Sequence, residues 1–144
     1  MDGRLVVPLA LVALVALTGC RKNSPEAQIQ KAFDACVKAI EASNAGSALD
    51  ILSPQFSGPE GMTRDEAKLY LMGFLRQGQL GITVLASRIE VKGAQGTQAV
   101  EVVLTSRSGS DLLPQDASRK LFLLHWETRN GDWCLRSLLE SGSR

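Results

Sequence analysis

Three hydrophobic patterns succeed one another along this chain. Leu5 to Leu17 is a run of thirteen residues, apolar throughout except for Pro8. From Ser24 to about Gln77, apolar residues return at three- and four-residue steps, the period of helices with one buried face. From Ile82 to Glu140 they return at every second position, the period of strands with one buried face. Helices first and strands afterwards predict an α+β domain with the helices segregated on one face of the sheet.

The helical part divides into three. Ser24-Pro25 reads as an N-cap followed by proline at the first helical position. Ile29, Phe33, Cys36, Val37 and Ile40 then form one stripe, with Lys31, Asp34, Lys38 and Glu41 on the other side. Asn44-Ala45-Gly46 predicts a glycine stop. A short second helix is expected over Ser47–Leu52, with Ser47 and Asp50 at capping-box spacing, ended by Pro54. Phe56 anchors the next turn or short strand. Thr63-Arg64-Asp65-Glu66 is a stronger capping box and opens a third helix to about Gln77. Its expected core face is Ala67, Leu71, Phe74 and Leu75, with Tyr70 at the edge.

Four strands are expected next. Ile82–Val91 changes phase near Ser87-Arg88, which signals a bulge. Ala99–Ser106 turns Val100, Val102 and Leu104 to one face. A polar connection, Ser106–Arg119, leads to Leu121–Arg129, where Phe122, Leu124 and Trp126 share a face. Asn130-Gly131 is a hairpin signal, and Trp133–Glu140 returns with Trp133, Leu135 and Leu139 together.

The first pattern changes what the rest means. Thirteen apolar residues are too few for a membrane span, which needs about 20, but they suit the core of an export signal. The run closes on Leu17-Thr18-Gly19-Cys20, which resembles the lipobox of bacterial lipoproteins at every position. The resemblance implies that residues 1–19 are a signal peptide and that Cys20 becomes the acylated N-terminus, carrying palmitate-type chains. Residues 20–24 would then be a lipidated tether and 25–141 the domain. Arg21 stands where aspartate favours inner-membrane retention in enteric sorting, so the resemblance points to the outer membrane, facing the periplasm.

The mature chain of 125 residues is one domain, long enough to bury most of its unfolded surface unaided. Asp2 and Arg4 leave with the signal, so 15 basic side chains face 14 acidic ones. That balance gives no electrostatic footprint for nucleic acid. Two cysteines remain, Cys36 and Cys134. A bridge between them would close a loop of about 100 residues; two buried free thiols are the other arrangement. Alternation puts Cys134 on the face opposite Trp133, pointing away from Cys36.

Three segments resemble the nuclear transport factor 2-like superfamily, also called cystatin-like. They are Ala48–Phe56, Thr63–Leu75, and Trp126-Glu127-Thr128-Arg129-Asn130-Gly131-Asp132-Trp133. The resemblance implies three helices packed on a curved, four-stranded or larger antiparallel sheet, a cone with a pocket, and often a homodimer. It implies no reaction, because the fold hosts isomerases, dehydratases, hydrolases and binding modules. The pocket-lining candidates are Phe33, Tyr70, Phe74, Trp126 and Trp133, which otherwise serve as core packing.

Catalytic chemistry finds little support in the residues. His125, the sole histidine, falls on the strand face opposite Phe122, Leu124 and Trp126. Asp34 and Asp50 suit solvation and capping. No acid–base pair, metal-ligand spacing or cofactor motif is visible. The sequence thus predicts a lipid-anchored envelope protein whose domain binds a small apolar ligand or a protein partner, with a pocket enzyme on a small organic substrate as the alternative.

Overall fold

The computed structural model describes residues 24–107 and 118–143. Helix α1 (Pro25–Glu41) is followed by the short α2 (Ala45–Ala48), a 3-10 turn (Leu49–Ile51) and strand β1 (Leu52–Ser57). A second 3-10 turn (Pro59–Gly61) leads to α3 (Arg64–Gln77), then β2 (Gln79–Lys92), β3 (Gln95–Arg107), β4 (Ser118–Arg129) and β5 (Asp132–Ser143). The strands form one mixed sheet in the order β1-β5-β4-β3-β2. The last four are antiparallel neighbours, as the alternation predicts. The fifth strand, β1, joins β5 in parallel, a pairing that its six residues with an internal Pro54 do not announce.

The predicted caps form. Ser24 Oγ accepts from the Ala27 N–H at 3.2 Å, and Thr63 Oγ1 accepts from the Glu66 N–H at 3.3 Å. The stop of α1 differs from the expected glycine. Ser43 takes the left-handed conformation at φ 59°, its N–H bonding Ile40 O while the Asn44 N–H bonds Ala39 O. Those bonds close the last turn without using Gly46, which lies inside α2. Asn44, rather than Ser47, caps that helix, its Oδ1 accepting from the Ser47 N–H at 3.1 Å. At the β4–β5 turn Asn130 and Gly131 both have positive φ, 53° and 86°, as a type I′ turn requires.

The core lies between α1 and the inner sheet face. Ile29 and Phe33 of α1 meet Val100 and Val102 of β3, Leu124 and Trp126 of β4, and Trp133 and Leu135 of β5. Leu52 and Phe56 close it from β1. The helix lies close enough on β3 that a Cβ on Gly96 would sit 2.8 Å from Ile29 Cδ1, so glycine is the residue that admits this approach.

Two strand phases need correction. The register shift in β2 falls between Val84 and Ala86, not at Ser87-Arg88. In β5 a shift lets His125 pair with Ser137 and Trp126 with Leu135, leaving Arg136 as the extra residue. After that bulge the inward residue is Leu138, packed on the core, whereas Leu139 is 47% exposed. Arg136 donates to Gln55 O on β1, so the bulge sits where the parallel strand joins.

Candidate functional site

The five pocket candidates separate into two places. Phe33, Trp126 and Trp133 are buried in the core, where they fill the space beneath α1. Tyr70 and Phe74 lie on α3 and are exposed, 65% and 39%. The structure does not bring the two groups together into one cavity wall among the described residues.

From the core to the surface, polar groups form one thread. Trp126 Nε1 donates to Gln98 Oε1 at 3.0 Å, and Gln98 Nε2 donates to Ser87 Oγ at 3.1 Å. Ser87 Oγ donates to Gln30 Oε1 at 3.1 Å, and Gln30 Nε2 donates to Asp34 Oδ1 at 2.9 Å. Only the last member, at the surface of α1, is ionisable. Among the described residues every buried side-chain N or O atom has a partner, so the thread leaves no orphan donor aimed at a ligand. It fixes the Trp126 indole. Gln98 was readable in the sequence as the polar residue in phase with Val100 and Val102.

The outer sheet face carries the charged groups. Glu90, Thr97, His125 and Ser137 form one row across four strands. With Lys92, Gln95, Glu127 and Arg136 they line an open concavity of about 670 Å³. Glu127 accepts from Ser53 Oγ at 2.9 Å and lies 4.0 Å from Arg136 Nε. His125 therefore sits on the face expected for it, away from the core. A second cleft of about 500 Å³ separates the α1–α2 link from Lys68, Met72, Leu75 and Arg76 of α3. Among the described residues no three His, Cys, Asp or Glu side chains cluster as metal ligands would.

Cys36 and Cys134 are free thiols. Cys36 donates to Ala48 O at 3.2 Å, tying α1 to α2, and burial pushes its thiol up to about 11. Cys134 pairs with Glu127 on the outer face; burial raises its pKa first, with Arg129 opposing and Asp132 adding. The two cysteines belong to opposite sides of the sheet, so the bridge considered from the sequence is not formed, and the phase that opposes Cys134 to Trp133 holds. Cys20 lies outside the described residues.

The surface feature that the sequence reading missed is α3. None of its residues is fully buried. Ala67, Leu71, Met72 and Leu75 are half-buried against the rest of the domain, while Leu69, Tyr70, Gly73, Phe74 and Gln77 are exposed. At 100° per residue these five form one continuous stripe. The helix carries more apolar side chains than one buried face can use, a signal present in Leu69-Tyr70-Leu71-Met72 and Phe74-Leu75. Among the described residues no helix is long and apolar enough to cross a membrane.

No family model and no curated protein matches the chain. Solved structures do. An NTF2-like protein of unknown function from Pseudomonas putida aligns with TM-score 0.70 at 8% identity, over 81% of this chain and 84% of its own. A function-unknown protein from Mycobacterium tuberculosis aligns with TM-score 0.68 at 11% identity, over 81% and 74%. A candidate scytalone dehydratase from Novosphingobium aromaticivorans aligns with TM-score 0.66 at 14% identity, over 90% and 88%. At such identities the likeness speaks for architecture alone. Three helices on a five-stranded mixed sheet, matched over four-fifths of the chain, give this protein the nuclear transport factor 2-like, cystatin-like fold.

Proposed function

We propose that this chain is a lipid-anchored protein of the bacterial envelope, held at the outer membrane and facing the periplasm, whose domain docks a protein partner through α3 without catalysis. The observation that carries the docking reading is the exposed stripe on α3, where Leu69 is 71% and Tyr70 65% exposed. Tyr70 and Phe74, like Leu69 and Gly73, stand four residues apart, the spacing by which a helix presents anchors to a groove. A Cβ on Gly73 would meet nothing within 4 Å, so nothing inside the domain explains a glycine there. A pocket enzyme is less well supported. Among the described residues the buried polar side chains are Ser53 and Gln98, neither an acid–base catalyst near neutral pH, and the ionisable Glu90, His125 and Glu127 stand instead on the open outer concavity. A small apolar ligand finds no enclosed apolar cavity among the described concavities: the one on the outer sheet face is open and ringed by charged side chains, and the cleft beside α3 is open too, with Met72 and Leu75 set among Ser43, Asn44, Lys68 and Arg76.

Anchoring rests on the export run and on Leu17-Thr18-Gly19-Cys20. Two measurements test the two halves. Intact mass should show a mature N-terminus at Cys20 with three acyl chains, and Cys20→Ala should leave the precursor unprocessed; an unacylated start elsewhere defeats the anchor. A photo-crosslinking residue at Tyr70 in intact envelopes should give one discrete adduct that the Leu69→Ser/Phe74→Ser double variant loses. A probe at the exposed Thr83 that captures the same adduct equally well defeats α3 as the docking helix.

A further inference from the structure

We infer that the domain presents its two hairpin tips, Lys92–Gln95 and Arg129–Asp132, to the phospholipid headgroups, with the opposite end carrying Gln77 and Glu41 directed away from the membrane. The inference rests on the proposed acylation of Cys20 and adds to it an orientation.

The geometry begins with the tether. Only Arg21 to Ser24 separate Cys20 from the first residue of α1, and the five steps from Cys20 to Pro25 reach at most about 18 Å. The start of α1 therefore stays close to the headgroups. That start lies at the hairpin end of the sheet, because Ile29 packs on Gly96, beside the β2–β3 turn. The two turns are bound to each other there, the Thr128 N–H donating to Ala94 O at 2.9 Å. Helix α1 has 17 residues, a length of about 25 Å, which exceeds the reach of the tether. Its far end is fixed at the start of β2, where Gln79 Nε2 donates to Glu41 O and the Ile82 N–H donates to Glu41 Oε2, both at 3.3 Å. The exit of α3 at Gln77 leads directly into that same end.

Charge agrees with this orientation. Lys92 and Arg129 on the tips join Arg21 and Lys22 of the tether, against Glu26, Asp132 and Glu127, which pairs with Gln95. The excess of one cation there suits an anionic leaflet. The orientation also gives the proposed docking helix its access: the Phe74–Gln77 end of the stripe lies on the membrane-distal side, open to a partner in the aqueous space.

The test uses the full acylated chain in vesicles of phosphatidylethanolamine and phosphatidylglycerol that contain a headgroup spin-labelled lipid. A genetically encoded fluorescent residue replaces Ala94, Asp132 or Gln77, all exposed positions. Probes at 94 and 132 should be quenched at least about twice as strongly as the probe at 77, given a helix-length separation. Equal or stronger quenching at 77 in protein whose mass confirms acylation overturns the orientation alone. Protein that lacks the acyl mass and fails to float with the vesicles overturns the anchor and the orientation together.

Discussion

Helices α1 and α3 differ far more in what they bury than in how they are encoded. Both are amphipathic, both open on a hydroxyl cap, and they run for 17 and 14 residues. Yet α1 drives Ile29 and Phe33 into the sheet, while α3 buries no residue fully. The first is held mainly by packing. The second leans more on its Thr63 cap, its acidic first turn and a half-buried face. Helix α1 commits its apolar side chains to the sheet, whereas α3 has apolar surface to spare, and the proposed docking role rests on that contrast. Breaking each helix's support in turn should therefore give very different results.

The largest effect belongs to the α1 side. Trp126 is 1% exposed and holds Gln98 by its indole N–H. Trp126→Ala should cost about 3–5 kcal/mol, enough to unfold many domains of this size, as read by urea denaturation. Trp126→Phe keeps most of the apolar contact but strands Gln98 Oε1, and should cost about 1–3 kcal/mol. Losses below 1 kcal/mol for both would mean that the tryptophan is not the keystone of the packed region.

The next effect depends on pH. Cys36 lies on the packed side, and burial raises its thiol to about 11. The thiolate is the form that burial disfavours, so the folded state holds the proton more tightly than the unfolded chain does. The contribution is fully present below the thiol's unfolded pKa and is lost as pH rises through the folded value, from roughly pH 9 to 11, by up to about 2–3 kcal/mol. Stability measured across that window should fall more steeply for the natural protein than for Cys36→Ala. Parallel curves would show that Cys36 is solvated.

How much of this contrast the sequence contained depends on how local each signal was. Ser24, Thr63 and Asn130-Gly131 were legible because a cap or a turn is decided within four residues. Trp126 and Trp133 were legible as core because β-alternation is local too. The bulge at Arg136 was not, since it arises where β5 must match β4 on one side and parallel β1 on the other, and so Leu138 and Leu139 exchanged faces. For the site, Phe33 and the tryptophans were named as pocket lining but are packed. Tyr70 and Phe74 read as pocket lining too, and Phe74 as part of the core face of its helix, but both face outward. Sequence periodicity says that a helix has an apolar face; it does not say whether a second apolar face has a neighbour within the same chain.

Gly73 sharpens the comparison with a gain instead of a loss. A mid-helix glycine costs about 0.5–1 kcal/mol relative to alanine, and a methyl group there would meet nothing within 4 Å. Gly73→Ala should therefore stabilise the isolated domain by that amount, seen as a higher denaturation midpoint at unchanged slope. A destabilised variant would mean that the Gly73 face of α3 is packed in solution. If docking requires the partner to approach the helix closely at this point, the same variant should weaken the crosslink from position 70 despite its greater stability.

The smallest expected change in stability falls at the most exposed residues. Leu69 and Tyr70 are 71% and 65% exposed, so truncating them removes little buried surface. Leu69→Ser/Tyr70→Ser should shift stability by no more than about 0.5 kcal/mol for each substitution, the range of surface changes away from caps and core. The shift should be of either sign, because serine lowers helix propensity while also removing apolar surface from water. On the packed helix the corresponding pair, Ile29→Ser/Phe33→Ser, should prevent folding. The informative result is the pairing of near-neutral denaturation with loss of the envelope adduct from a photo-crosslinking residue placed at Phe74, since removing a residue that packs the core would cost stability as well. Should the Leu69/Tyr70 variant unfold like its α1 counterpart, α3 would be a packed helix in the assembled protein, and the division between the two helices would fail.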